Sequence, residues 1–406
     1  MNKNIYIALS GGGYRATLYH LGVLRRLCEL GLWEKIHTIS SVSGGSILNG
    51  LVGIHYDDIK CVDDFDRLIT TPLLHFTGLN VRNRILGRKI LQGIIKLIAM
   101  ATPLIGFEGI GNAESFSKLL DNNLLKGKTL DQLCSGCRIV INSTNMATGV
   151  RFRFEKMDFG DYTTGYCYDT KNVKISEAVA SSAAFPLLFY PLGLSTKDRD
   201  FYFRNNLKED KDLNGTIAKE IYLTDGGVYE NLGYQALHHS LKHDDGEKFV
   251  IVSDASGGLP IENDFSSFSQ LKRTTDILFE KNLKDQRREF VPKLMNGELD
   301  GCYVWLKNTT RYTIQRSESK NGVKDEGLHE SEVKLVRNIR TDLDSFSVVE
   351  QDALQFHGES SLDTNLKAHC PSLYKGLNAS KLRRPKFSSE EYLNGLKESH
   401  KQKILK

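Results

Sequence analysis

The chain of 406 residues is notable first for what it has little of. No apolar run is long and clean enough to cross a bilayer. The nearest approach, Ile90 to Phe107, is broken by Gly93, Lys96, Pro103 and Gly106, which makes a poor spanning helix. No charge of one sign dominates: 54 basic against 50 acidic residues leave a net +4, too small a field to argue for nucleic-acid binding. Cysteine is sparse, with an odd seven residues scattered along the chain, which favours reduced thiols in a cytoplasmic setting over a disulfide framework. Cys134-Ser135-Gly136-Cys137 has the spacing of a redox motif, but no second Cys or His pair stands near it, so no metal or cofactor is expected. The apolar run Ile5-Tyr6-Ile7-Ala8-Leu9, so near the first residue, is too short for a cleavable signal peptide. Internal repeats and low-complexity tracts are also missing. With 40% hydrophobic and 26% charged residues, what remains is a folded globular protein.

What is there begins with an alternation. Ile5 to Leu9 reads as a buried strand that stops at Ser10-Gly11-Gly12-Gly13. From Ala16, Leu18, Leu21, Val23, Leu24, Leu27 and Leu30 recur at helical spacing up to Gly31. A second strand, about Ile36 to Val42, runs into Ser43-Gly44-Gly45, and Ile47, Leu48, Leu51 and Val52 begin another helix. Strand, turn, helix, strand, turn, helix implies parallel strands with right-handed crossovers, whose functional loops gather at the strands' carboxyl ends. The glycine turn and the Ser43 turn share that end. Residues 57–130 lack strand alternation and read as a helical insertion. Within it, Arg82, Arg84, Arg88 and Lys89 precede the apolar segment 90–107, the pattern of an interfacial lid or of a core helix with a solvated basic lead-in.

Strand patterns return at 138–141, 151–154, 220–223 and 249–252, with a helix at 175–182 that Pro186 ends. A helix is expected from Phe265 to about Lys284, a strand at 302–306, and helices over 327–342 and 347–356. The tail beyond Ser380 is basic and poor in apolar residues. The fold class is therefore α/β: a mainly parallel central sheet flanked by helices. The expected division is a catalytic domain over 5–345 and a helical extension over 346–406.

Ser43 on a sharp strand-to-helix turn has the form of a nucleophile elbow. Gly11, Gly12 and Gly13 offer backbone N–H groups with no side chain in the way, at the mouth of a helix, as an oxyanion site requires. Arg15, just inside that helix, could steady the loop or meet a substrate phosphate. For the base, an Asp with His238 or His239 would satisfy a Ser…Asp…His order on paper, with Asp225 or Asp254 as the acid. Asp225 is better placed, ending a strand ahead of Gly226-Gly227, and could take the serine proton directly.

Ser10-Gly11-Gly12-Gly13-Tyr14-Arg15-Ala16, Ser43 in its turn and Asp225-Gly226-Gly227 resemble, in order, the three motifs of the patatin-like phospholipase family. The glycine–arginine segment is also similar to that of the related cytosolic phospholipase A enzymes. The resemblance spans about residues 5–256 and includes Ser181-Ser182-Ala183-Ala184-Phe185-Pro186, similar to a family segment that lines the acyl pocket. It implies a three-layer fold and a carboxylic ester hydrolase acting on phospholipid or another acyl lipid, with transient contact to a membrane surface. Ser43 would be nucleophile and Asp225 base, with no catalytic histidine. The glycine loop, with Arg15 beside it, would form the oxyanion region. One departure stands out: Ser41 occupies the elbow position where the family usually has glycine, and a side chain there is expected to crowd the turn. Two other readings compete. One is an α/β-hydrolase esterase using a histidine. The other is a nucleotide-binding protein using Gly11-x-Gly13-x-x-Ala16, although its second strand ends without the acid that would hold a ribose.

Overall fold

The computed structural model describes residues 4–85, 113–186, 188–203, 219–244, 246–259, 267–317, 323–375, 377 and 380–399. The apolar segment 90–107, expected as a lid or a core helix, lies outside the described residues. Among the described residues ten strands form one sheet: β1 (Ile5–Leu9), β2 (Ile36–Val42), β3 (Arg138–Asn145), β4 (Arg151–Phe154), β5 (Phe159–Asp161), β6 (Gly165–Cys167), β7 (Leu192–Ser195), β8 (Glu220–Asp225), β9 (Phe249–Asp254) and β10 (Asp300–Trp305). Their order is β10-β9-β1-β2-β3-β4-β5-β6, with β8 paired to β3 and β7 to β8.

The sheet is mixed where the sequence alternation predicts a mainly parallel one. The segment from β10 to β3 is parallel throughout. From β3 outward every pairing is antiparallel. The reason is connection length: β3 to β6 follow one another through turns of a few residues, which suit hairpins and cannot hold a crossover helix. Strands β1, β2 and β9 are buried almost throughout and Val/Ile-rich, as a sheet covered on both faces requires.

Helix α1 (Gly13–Glu29) follows the glycine turn and α2 (Gly44–His55) follows the serine turn. Against α1 lies the long helix Val348–His369, which enters the same apolar core through Leu354, Leu362 and Leu366. The two helices touch at glycines. A Cβ on Gly22 would stand 1.9 Å from the Gln355 carbonyl, and one on Gly358 2.1 Å from that of Tyr19. Any side chain at either crossing point would force the helices apart.

The sequence predicts one helix over 327–342, but the structure ends it at Val336. Residues 337–343 instead run as an irregular strap whose carbonyls are bound by side and main chain from elsewhere. The helix expected to end near Lys284 continues to Met295, and the one placed at 347–356 continues to His369. In both cases charged residues that read as surface lie within the helix.

Candidate active site

Strand register brings Ser43 and Asp225 together. β2 pairs with β3 up to Val42 opposite Asn142 and then gives way to the serine turn. β3 runs on, and the edge it leaves free beyond Asn142 is taken by β8, with Asp225 opposite Ser143. The carboxylate therefore stands one register step past the end of β2, over the elbow. Ser43 Oγ donates to Asp225 Oδ2 at 2.7 Å, although 182 residues separate them in the chain.

Ser43 has φ 51° and ψ −122°, a backbone region costly for any residue with a side chain. The strain is held by what surrounds it. The Ser43 N–H donates to Ser182 Oγ at 2.9 Å, and Ser182 donates onward to the Asn142 carbonyl at 2.6 Å. Gly44 is obligatory, since a Cβ there would lie 2.1 Å from the Gly13 carbonyl. Gly45 backs α2 onto the end of β1 in the same way, and Gly226 lets β8 approach the Asn142 carbonyl. Ser41 does not crowd the turn. It points beneath α2, where its hydroxyl meets Ser46 Oγ at 2.9 Å and accepts from Asn49 Nδ2 at 2.9 Å.

Asp225 is buried, and that burial pushes its carboxyl up to about 7 despite the hydrogen bonds from Ser43 and from the Gly227 N–H, which act the other way. Its backbone is pinned on both sides: its N–H donates to the Ala184 carbonyl at 3.1 Å, and its own carbonyl accepts from Thr144 Oγ1 at 2.9 Å.

The glycine loop faces the serine, but its members differ. The Gly11 N–H donates to the Asn231 carbonyl at 3.0 Å and so is not available to a ligand, which corrects the expectation for that residue. The N–H groups of Gly12 and Gly13 meet no acceptor among the described residues. Arg15 is buried and braces backbone: Nε donates to the Ala255 carbonyl at 3.1 Å, and Nη1 to those of Ile339 at 2.8 Å and Arg337 at 3.3 Å. Desolvation lowers it to about 10.

These groups open into a cavity of about 1300 Å³ that has Ile47, Ile85, Phe185, Leu188, Phe189 and Phe279 among its apolar walls. No histidine lines it among the described residues. His238 instead lies 4.0 Å from Glu289, and His239 is exposed. Asp254, the other candidate acid, is held by Arg287 Nη2 at 2.6 Å. His20 lies beneath the glycine loop, between the Ser10 carbonyl and the Ser253 hydroxyl, and burial lowers it to about 4 so that it stays neutral. Among the described residues, no three His, Cys, Asp or Glu side chains gather at metal-binding range.

The sequence reading did not single out Ser182 and Asn231. Ser182 holds the elbow, and its only local signal is the Ser-Ser-Ala-Ala-Phe-Pro helix end. Asn231 fills the space beside Gly11 and Gly227, whose missing side chains make room for its Oδ1.

An α/β sheet with a serine elbow, a facing glycine turn and a buried carboxylate defines the class. The sequence pattern of the patatin-like phospholipase family matches residues 7–238, more than half of the chain, and the chain belongs to that family. Among solved structures, human GIVD cytosolic phospholipase A2 bound to methyl gamma-linolenyl fluorophosphonate is similar at 12% identity and a TM-score of 0.48, covering 91% of this chain and 59% of that one. VipD from Legionella pneumophila is similar at 14% identity and a TM-score of 0.37, covering 91% of this chain and 67% of that one. The chain thus spans about 60% of the length of the phospholipase A2 structures it matches. No protein of curated function matches its sequence.

Proposed function

We propose that the chain is a serine lipid acyl hydrolase of phospholipase A or lysophospholipase type, working through Ser43 and Asp225 alone. The observation that carries this reading is the 2.7 Å hydrogen bond from Ser43 Oγ to Asp225, inside a cavity that no histidine lines among the described residues. A carboxylate lifted to about 7 has the basicity that proton transfer near neutral pH demands. Asp225 takes the hydroxyl proton as the Ser43 oxygen attacks the acyl carbonyl. The charge that develops on the carbonyl oxygen faces the Gly12 and Gly13 N–H groups. Collapse breaks the ester bond, Asp225 gives its proton to the departing alkoxide, and the acyl group stays on Ser43. A water then enters, Asp225 takes its proton, and the second collapse releases the fatty acid and returns the proton to Ser43. No metal or cofactor takes part in this scheme.

Transient contact with a membrane surface fits the cavity's surroundings. Ile277 and Leu278 are 48% and 62% exposed and directly precede Phe279 of the cavity wall, while exposed Leu188 lines the cavity itself. Their helix carries seven basic against four acidic residues, which favours an anionic lipid surface. All seven cysteines are free, in keeping with a reducing, cytoplasmic location. Among the described residues no helix is long and apolar enough to cross a membrane.

The test is hydrolysis of a soluble fluorogenic acyl ester. Ser43→Ala is expected to lose at least roughly 10³-fold in kcat with its thermal transition kept. Turnover that survives the substitution would end the reading, and a loss on His238→Ala would favour a histidine-dependent esterase.

A further inference from the structure

The glycine loop does not hold itself in place. Gly13 is gripped between two backbones: a Cβ on it would lie 2.0 Å from the Thr341 carbonyl, while its own carbonyl packs against Gly44 of the elbow. The next residue, Tyr14, donates its N–H to the Asp342 carbonyl at 3.3 Å. Arg15 then binds the Ile339 and Arg337 carbonyls. Three consecutive residues of the loop and helix start therefore rest on the strap 337–343. That strap lies a hundred residues beyond the region that the family pattern matches.

At Asp342, next to the residues that touch Gly13 and Tyr14, the strap is held by a buried ion pair, while Arg340 ties it to Asp344 and Glu350. Asp342 Oδ2 accepts a charge-assisted bond from Arg82 Nη1, and both side chains are almost fully buried. Asp342 Oδ1 accepts from the Leu343 N–H at 2.7 Å, and the Arg82 N–H reaches the Leu343 carbonyl at 3.1 Å. Arg82 Nη2 lies 3.9 Å from Asp344, which Arg340 Nε holds at 2.6 Å. A pair this dry is costly to break one partner at a time.

We propose that Asp342, held by Arg82, is a positioning pair for the Gly12–Gly13 N–H groups, so that the strap completes the oxyanion site from outside the family's motif-bearing region. The pair itself transfers no proton. It sets the strap carbonyls, the carbonyls set Tyr14 and Arg15, and these fix where the two N–H groups point. A misplacement of an ångström in such donors is enough to reduce the rate strongly. This inference rests on the proposed role of the glycine loop.

The experiment compares wild type, Arg82→Met, Arg82→Lys and Asp342→Asn on the soluble acyl ester, reading kcat and KM separately with the thermal transition of each. Arg82→Met and Asp342→Asn are expected to lower kcat about tenfold or more with KM within twofold, and Arg82→Lys to restore most of the loss. The pH midpoint of the reaction should stay near that of wild type, because Asp225 is not the group disturbed. Unchanged kcat in both Arg82→Met and Asp342→Asn overturns the proposal. So does a loss that falls on KM, or one that Arg82→Lys fails to rescue in a folded protein. If Arg82→Met does not fold, Asp342→Asn decides by the same readings. Failure here would leave Ser43→Ala inactive, whereas failure of the functional reading would leave Ser43→Ala active.

Discussion

Residues 5–56 and residues 337–399 end up against one another, yet one stretch speaks for itself and the other does not. In the first, burial is written in apolar residues. β1 and β2 are almost wholly buried and apolar or small, and the turns between elements are marked by Gly11-Gly12-Gly13 and Gly44-Gly45. In the second, burial is written in charge. The helix Val348–His369 buries Glu350, Asp352, Glu359 and Asp363 along with its leucines, so no apolar stripe shows in its sequence. These carboxylates are met by arginines outside the helix: from far away in the chain Arg26 Nη2 reaches Asp363 at 2.6 Å, and from the same stretch Arg383 Nε reaches Glu359 at 2.6 Å. Hydrophobic periodicity detects the first kind of core and is blind to the second. On the proposed reading the difference is a division of labour, with the reacting groups in the early stretch and its partner β8, and support from the late one.

That division can be broken by experiment, and the largest effect should come from Asp225. Asp225→Asn is expected to lower kcat by roughly 10³-fold or more, because the proposed base for the Ser43 proton is gone. The same change should stabilise the fold. Burial raises the folded carboxyl from 3.8 to about 7, so between those values the folded chain holds a proton that the unfolded chain has released. Stability from this residue therefore falls as pH rises through that window. Asp225→Asn should unfold at a higher temperature than wild type at pH 8 and close to wild type below pH 4. In wild type, kcat/KM should rise with pH with a midpoint near 7, as the carboxylate becomes the free base. A variant that is dead and also less stable at pH 8 would mean that Asp225 serves the fold.

Arg26 should behave in the opposite way. Its guanidinium and Asp363 are 1% and 3% exposed, and Arg26→Met leaves Asp363 to Lys367 Nζ, 2.6 Å from its other oxygen. A loss of about 1.5–3 kcal/mol is expected on denaturant unfolding, with Arg26→Met/Asp363→Leu recovering part of it. The folded fraction should keep the kcat of wild type. A fall in kcat without a fall in stability would erase the distinction between the two stretches.

The smallest effect concerns the surface. Ile277→Glu/Leu278→Glu should weaken sedimentation with vesicles of zwitterionic and anionic lipid by about tenfold. Hydrolysis of the soluble ester should stay within twofold. Equal losses in both assays would place these residues inside the chemistry and remove the argument for a lipid-facing rim.

How much was legible follows the same line. Ser43, Gly12, Gly13 and Asp225 stand where the residue pattern put them because each sits at a strand end, and strand ends are marked by abrupt changes in residue type. The meeting of Ser43 with Asp225 could not be read locally, because it depends on β8 taking over the β3 edge where β2 stops. Gly11 looked equivalent to its two neighbours until Asn231 claimed its N–H. Residues 337–342 continue an apparent helical pattern, and only their contacts with Gly13, Tyr14 and Arg15 explain why the helix stops at Val336. The antiparallel flank was missed because the motifs at 5–56 suggested a crossover topology for the whole sheet.

The central claim is that the hydroxyl of residue 43 is activated by one carboxylate with no imidazole between. Mass spectrometry after brief exposure to a fluorophosphonate measures this directly. The account predicts a single phosphonyl group mapped to Ser43, formed at wild-type rate in His238→Ala and His239→Ala and slowed at least roughly 10²-fold in Asp225→Asn. Label on another residue, or undiminished labelling of Ser43 once Asp225 has lost its charge, would contradict it.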